Sequence, residues 1–213
     1  MADVFREVDE ALREDRAKTL AKRYGPIGIA VVVLIVAGVG GWTFWQDRTK
    51  SQAEQRTAAL TEAVAQMDQS PASAQAALEA VAADGADGQA MLARFYQAQI
   101  MIDEGNIQAA AEIYDQLSGD ASVGQIWRDL AGLRAAILLV GTDEPAEVRA
   151  RLSAFTAVES PWRFTANEMM ALLALREGNQ EEAIGILENL RDDGAAPGSL
   201  RERAGRLIDS LGQ

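Results

Sequence analysis

The chain has 213 residues, a net charge of −12, and neither histidine nor cysteine. Those absences exclude Ser–His and Cys–His catalysis, imidazole or thiolate metal sites and disulfides, so any metal would need an all-oxygen site. The acidic balance argues against nucleic acid, whose phosphates need a basic face, and a mean hydropathy of −0.08 averages two unlike regions.

Residues 1–24 come first. Phe5, Val8, Leu12 and Leu20 recur at helical intervals, with Asp and Glu early and Lys and Arg late. That charge order suits the helix dipole. The segment reads as an amphipathic tail lying on a membrane surface, with a docking helix for a cytoplasmic partner as the alternative.

Residues 25–46 follow without a single charge, and Ile27–Trp45 is almost wholly apolar or small. At the helical rise such a run covers roughly 30 Å, the thickness of a hydrocarbon core. Tyr24 stands at one end and Trp42, Phe44 and Trp45 at the other, where amphipathic rings settle among headgroups. The preceding stretch is too long for a signal-peptide n-region and no clean cleavage site follows, so an uncleaved transmembrane helix is expected. Arg13, Arg16, Lys18, Lys22 and Arg23 precede the span. The positive-inside rule therefore puts the N-terminus in the cytoplasm and residues 47–213 outside. Ala37 and Gly41 form a small-xxx-small pair able to seat a neighbouring helix.

Beyond the span the pattern is helical and alanine-rich, without β alternation. Turn signals stand at Gln69-Ser70-Pro71, Gly105-Asn106, Gly141-Thr142 and Gly178-Asn179, spaced 36, 36 and 37 residues apart. A fixed period of this size signals stacked supersecondary units. In the second unit Leu92–Glu104 and Ile107–Leu117 form the two helices, with glycine ending the first because it accepts the left-handed conformation. Ala98, Ala110 and Tyr114 around Gly105 have counterparts in Ala171, Ala183 and Leu187 around Gly178. This placement resembles the tetratricopeptide repeat. The expected fold is all-α: the transmembrane helix, then an α-solenoid of about four helical hairpins, then a capping helix over Ser199–Leu211. Two units depart from the pattern, since the first turns at proline and the third has the longer turn Gly141-Thr142-Asp143-Glu144-Pro145.

Candidate chemistry is thin. Glu181-Glu182 and Asp192-Asp193 are adjacent pairs that a helix splays about 100° apart. Asp84-Gly85-Ala86-Asp87-Gly88 lacks the remaining ligands of a calcium loop. No catalytic, cofactor or metal residues are assigned. The repeat register instead places Phe95, Gln99, Arg128, Glu168 and Leu172 towards a partner-binding groove formed by the first helices, with core packing as the competing role for Phe95 and Leu172. Trp127, Trp162 and Phe164 fall at unit starts and read as packing between units.

The charged tail Asp3-Val4-Phe5-Arg6-Glu7-Val8-Asp9-Glu10, Lys22-Arg23-Tyr24-Gly25 before a single span, and repeats carrying Gly105-Asn106 and Ala110 together resemble the ancillary SecYEG translocon subunit (YfgM-type) family. The resemblance implies a bacterial inner-membrane protein whose residues 47–213 form a non-catalytic periplasmic tetratricopeptide domain tethered beside the SecYEG translocon. There it would assist handover of exported proteins with membrane-anchored periplasmic chaperones. The residues alone equally fit a cell-envelope scaffold or an adaptor for division or cell-wall assembly.

Overall fold

The computed structural model describes residues 38–83 and 88–212, divided into two units, Met1–Gln55 and Arg56–Gln213. Helix α1 covers residues 38–65, and its residues 38–55, in the first unit, are all exposed. The tail 1–24 and residues 25–37 of the expected span, Ala37 among them, lie outside the described residues. Gly41 is on α1 with nothing within 4 Å of where a Cβ would stand. Among the described residues no helix is long and apolar enough to cross a membrane. The aromatic end of the apolar run is nonetheless laid bare, with Trp42, Phe44 and Trp45 exposed at 67 %, 68 % and 70 %.

The second unit continues with α2 (Pro71–Ala83), α3 (Gly88–Asp103), α4 (Ile107–Gly119), α5 (Gln125–Leu139), α6 (Pro145–Ser153), α7 (Arg163–Arg176), α8 (Gln180–Asp192) and α9 (Gly198–Leu211). The described residues contain helices and turns and no strand. Each helix of this unit packs on its sequence neighbours. That is the chain of hairpins expected of a solenoid, in which a unit contacts only the next.

Two hairpins close by one mechanism. Gly105 and Gly178 both have φ of +79°, a conformation that costs a side-chain-bearing residue roughly 1–2 kcal/mol. The Asn106 amide donates to the Met101 carbonyl and the Gly105 amide to Ile102; Asn179 and Gly178 do the same to Ala174 and Leu175. These paired bonds form the Schellman arrangement, which satisfies the last carbonyls of the first helix. The asparagine then serves as N-cap of the second helix. One Gly-Asn pair thus ends one helix and starts the next.

The other two hairpins enter their second helix through proline. Pro71 begins α2 and Pro145 begins α6, at the position where a missing N–H costs nothing. Gly141 is not in the left-handed region, and residues 140–144 form the longer linker.

The core seams repeat across all four hairpins. Ala63, Ala98, Ala136 and Ala171 on the first helices, and Ala74, Ala110, Val148 and Ala183 on the second, are all 0 % exposed. Behind them sit Leu78, Tyr114, Leu152 and Leu187, each no more than 1 % exposed. Alanine on both sides lets the helix pair approach closely, and the larger residue fills the gap beyond. Each cluster reaches into the next hairpin: Ala93 and Ile100 join the first, Ala131 and Ala135 the second, and Ala166 and Leu173 the third. The fourth is closed by Leu200 and Ala204 of α9, so the expected cap is present.

Polar bonds between hairpins span about one repeat. Arg151 Nη1 donates to Asp115 at 2.7 Å, Arg149 Nη1 to Glu182 at 2.6 Å, and Gln108 Nε2 to Asp143 at 3.2 Å. Arg149 also pairs with Glu177, and these carboxylates hold its guanidinium above the ordinary arginine value, the Glu182 bond first.

Candidate functional site

The first helices α3, α5 and α7 present a common face, and the seam alanines fix what each puts there. Ala98, Ala136 and Ala171 are equivalent, so their separations are 38 and 35 residues rather than the 36 and 37 of the turn signals. Phe95 on α3 therefore corresponds to Leu133 on α5 and Glu168 on α7. Gln99 corresponds to Ile137 and Leu172. The turn spacing of 36 from Phe95 and Gln99 leads instead to Ala131 and Ala135, and Arg128, five residues before Leu133, lies on neither register.

The five expected groove residues fare differently. Phe95 is half-buried, its ring centroid 5.5 Å from that of Tyr114 and 6.3 Å from that of Trp127, and so packs between the second and third hairpins. Gln99 donates to Asp103 Oδ1 at 2.8 Å, one turn along its own helix. Arg128 donates to the Gln125 side chain, also local. Glu168 is only 7 % exposed and accepts from Arg203 of α9, with Nη2 at 2.7 Å from Oε2. That pair raises the Arg203 guanidinium above its ordinary value through the bond to Glu168, and it fastens the cap rather than offering a charge outward. Leu172 remains half-buried on α7. None of the five lines the cavity that α3, α4, α5 and the start of α7 enclose.

This cavity, of about 270 Å³, is lined by Ile102 of α3, Tyr114 of α4, residues of α5, and Trp162 and Thr165 at the start of α7. Helix α5 supplies most of it through Leu130, Leu133, Arg134, Ile137 and Leu138. The lining is apolar apart from Thr165, the tyrosine hydroxyl and the guanidinium. Arg134 is exposed and makes no hydrogen bond or ion pair within the described residues. By contrast Arg94, Arg149, Arg151, Arg163 and Arg203 all face carboxylates. Trp162 packs on the third core cluster, its indole N–H buried without an acceptor.

Sequence reasoning missed Leu130, Arg134, Ile137 and Thr165. The signal was available in the second helices, whose starts at Pro71, Ile107, Pro145 and Gln180 are 36, 38 and 35 residues apart. Those intervals agree with the core register; the glycines do not.

Among the described residues no group of three or more acidic side chains could hold a metal ion. Asp84 to Asp87 lie outside them. Glu181 and Glu182 occupy the first turn of α8, where carboxylates suit the helix dipole. Asp192 pairs with Arg191, which holds its carboxyl below the usual range.

A family model described as a tetratricopeptide repeat-like domain matches residues 18–185. No curated protein and no solved structure matches the chain.

Proposed function

The chain belongs to the tetratricopeptide repeat-like family, and from that premise we propose that it is a membrane-anchored interaction protein working beside the SecYEG translocon. Domains of this family are generally non-catalytic modules for protein contacts. The observation that carries a binding role is the half-open apolar cavity along α5, on the face of the first helices. Its volume falls below the roughly 300–1,000 Å³ of small-molecule sites, and suits one or two large side chains of a polypeptide.

Anchoring rests on 22 uncharged residues, 25–46, ending in exposed aromatic rings. With bases concentrated before the run, the solenoid lies on the periplasmic side. In this reading the chain receives exported polypeptides near the translocon and passes them to membrane-anchored periplasmic chaperones. Its acidic exterior keeps the tethered solenoid soluble.

The test is photocrosslinking in native membranes from Leu172, a half-buried position on the same face. Cross-links to translocon or membrane-anchored chaperone subunits are the expected result. Cross-links confined to division or cell-wall proteins would contradict it and select the envelope-scaffold role.

A further inference from the structure

Helix α5 carries a stripe beside the buried seam, its Ile137 end packed on the third core cluster. Ile126, Leu130, Arg134 and Ile137 follow one another at steps of four, four and three, which keeps them on one side of a helix. Ile126 is 49 % exposed and Trp127 beside it 43 %, whereas Leu130 and Ile137 are half-buried at the cavity. Exposed apolar side chains next to a cavity, with a tryptophan among them, have the composition of an interaction hot spot.

Arg134 is set apart by its place at the cavity, since Arg201 and Arg206 are also exposed and unbonded among the described residues but line no part of it. The solenoid carries 26 acidic and 14 basic residues from position 47 onward, and Arg94, Arg149, Arg151, Arg163 and Arg203 are already paired with carboxylates. Arg134 stands at the mouth of an apolar cavity with its guanidinium unpaired. The nearest sequence acids on these helices, Asp103 and Asp129, each accept from a glutamine one turn away, Gln99 and Gln125. Neither is bonded to Arg134.

We propose that the α5 stripe binds a polypeptide segment in which a large apolar side chain is followed by a carboxylate. The apolar side chain enters the cavity between Ile102, Leu130, Ile137 and Thr165, and the carboxylate pairs with Arg134. This rests on the interaction role given above and specifies the ligand. A guanidinium takes a carboxylate in a two-pronged geometry that a neutral amide cannot match. Beside apolar walls the pair is also shielded from water, which strengthens it relative to an open surface pair.

The overall negative charge opposes an acidic ligand, and this sharpens the test. Long-range repulsion is screened beyond about 8 Å at physiological salt, so the local pair and the global field respond differently to ionic strength. The experiment uses the full chain in detergent and two fluorescein-labelled peptides, Gly-Ser-Leu-Phe-Glu-Leu-Ser-Gly and the same sequence with Gln for Glu. Fluorescence anisotropy gives both affinities at low and physiological salt, for the wild type, Arg134→Gln and Thr165→Trp.

The wild type is expected to prefer the Glu peptide by about tenfold, the scale of a charge-assisted bond. Arg134→Gln, a surface change that leaves the fold intact, should abolish the preference while retaining the Gln-peptide affinity. Thr165→Trp, which fills the cavity, should weaken both peptides. Equal binding of the two peptides by the wild type would overturn the acidic preference and leave the interaction surface standing. An undiminished preference in Arg134→Gln would overturn the assignment to that residue. Absence of binding by either peptide would overturn the proposal; cross-linking from Leu172 then decides separately whether the broader interaction role stands.

Discussion

The hairpins α3–α4 and α5–α6 solve the same packing problem with different turns. The first joins its helices through Gly105-Asn106, with the glycine left-handed and its helix end fully bonded. The second uses residues 140–144 and Pro145, and its glycine is not left-handed. Yet twelve residues separate the seam pair in both, Ala98 to Ala110 and Ala136 to Val148. The helix gave way rather than the core: α5 ends at Leu139, only three residues beyond Ala136, whereas α3 runs five beyond Ala98. Buried seams, worth several kcal/mol per large side chain, outrank a turn of about one.

Five substitutions and a pH profile bear on that comparison. The largest effect belongs to the residue behind the seam. Leu152→Ala in α6 and Leu187→Ala in α8, both 0 % exposed, should each cost about 2–5 kcal/mol in urea unfolding. A cost for Leu152→Ala far below that of Leu187→Ala would mean that the proline-linked hairpin is loosely packed after all.

The turns themselves should differ. Gly178→Ala forces a side chain into the left-handed region and should lose about 1–2 kcal/mol. Gly141→Ala, free of that constraint, should be neutral or gain about 0.4–1 kcal/mol through the unfolded state. Equal losses at the two sites would erase the distinction.

The longer linker borrows its bonds from the next hairpin. Arg176 Nη1 donates to the Val140 carbonyl at 3.0 Å and to the Asp143 carbonyl at 2.6 Å. Arg176→Ala should cost about 0.5–1.5 kcal/mol, seen as faster amide exchange confined to residues 140–144. No change in that exchange would show that the linker holds itself.

The smallest effect is a pH dependence at the joint between α4 and α5. Bonds from the Ser122 hydroxyl and amide, then Arg94, hold the Asp120 carboxyl below its usual range. A depressed folded value stabilises the protein above the unfolded carboxylate value of about 3.9, and the gain is lost as pH falls through the folded value. Asp120→Asn should flatten the acid limb of the stability profile below about pH 4. An unchanged limb would contradict the Asp120 contribution.

Much of the solenoid was legible in the sequence. Gly105-Asn106 and Gly178-Asn179 mark helix ends by a local rule, and both behave as that rule requires. The helix starts at Ile107 and the end cap over Ser199–Leu211 follow from periodicity alone. The α5 register was not legible from the same marks, because Gly141 looks like its counterparts and does a different job. A glycine reports the backbone only where φ is positive, whereas register is set by which alanines can meet. The candidate site is affected on α5 alone, where Arg128 stands in place of Leu133 and Ile137, while Phe95, Gln99, Glu168 and Leu172 agree with the core register. Glu168 shows a second limit: a lone carboxylate on a first helix looks outward-facing until Arg203, 35 residues on, is seen to cover it.

The register of α5 decides whether Arg134 is a seam residue or a free charge. Counting 36 residues from Ala98 puts position 134 in the seam; the structure puts Ala136 there and leaves Arg134 outside. The absence of native cysteine makes this directly measurable, since a single introduced thiol is the only reactive one. Native-state labelling of Arg134→Cys with a maleimide should proceed at nearly the rate of the unfolded protein. Ala136→Cys should react orders of magnitude more slowly, limited by opening of the hairpin. Rapid labelling at 136 with protection at 134 would contradict the register, and with it the face assigned to binding.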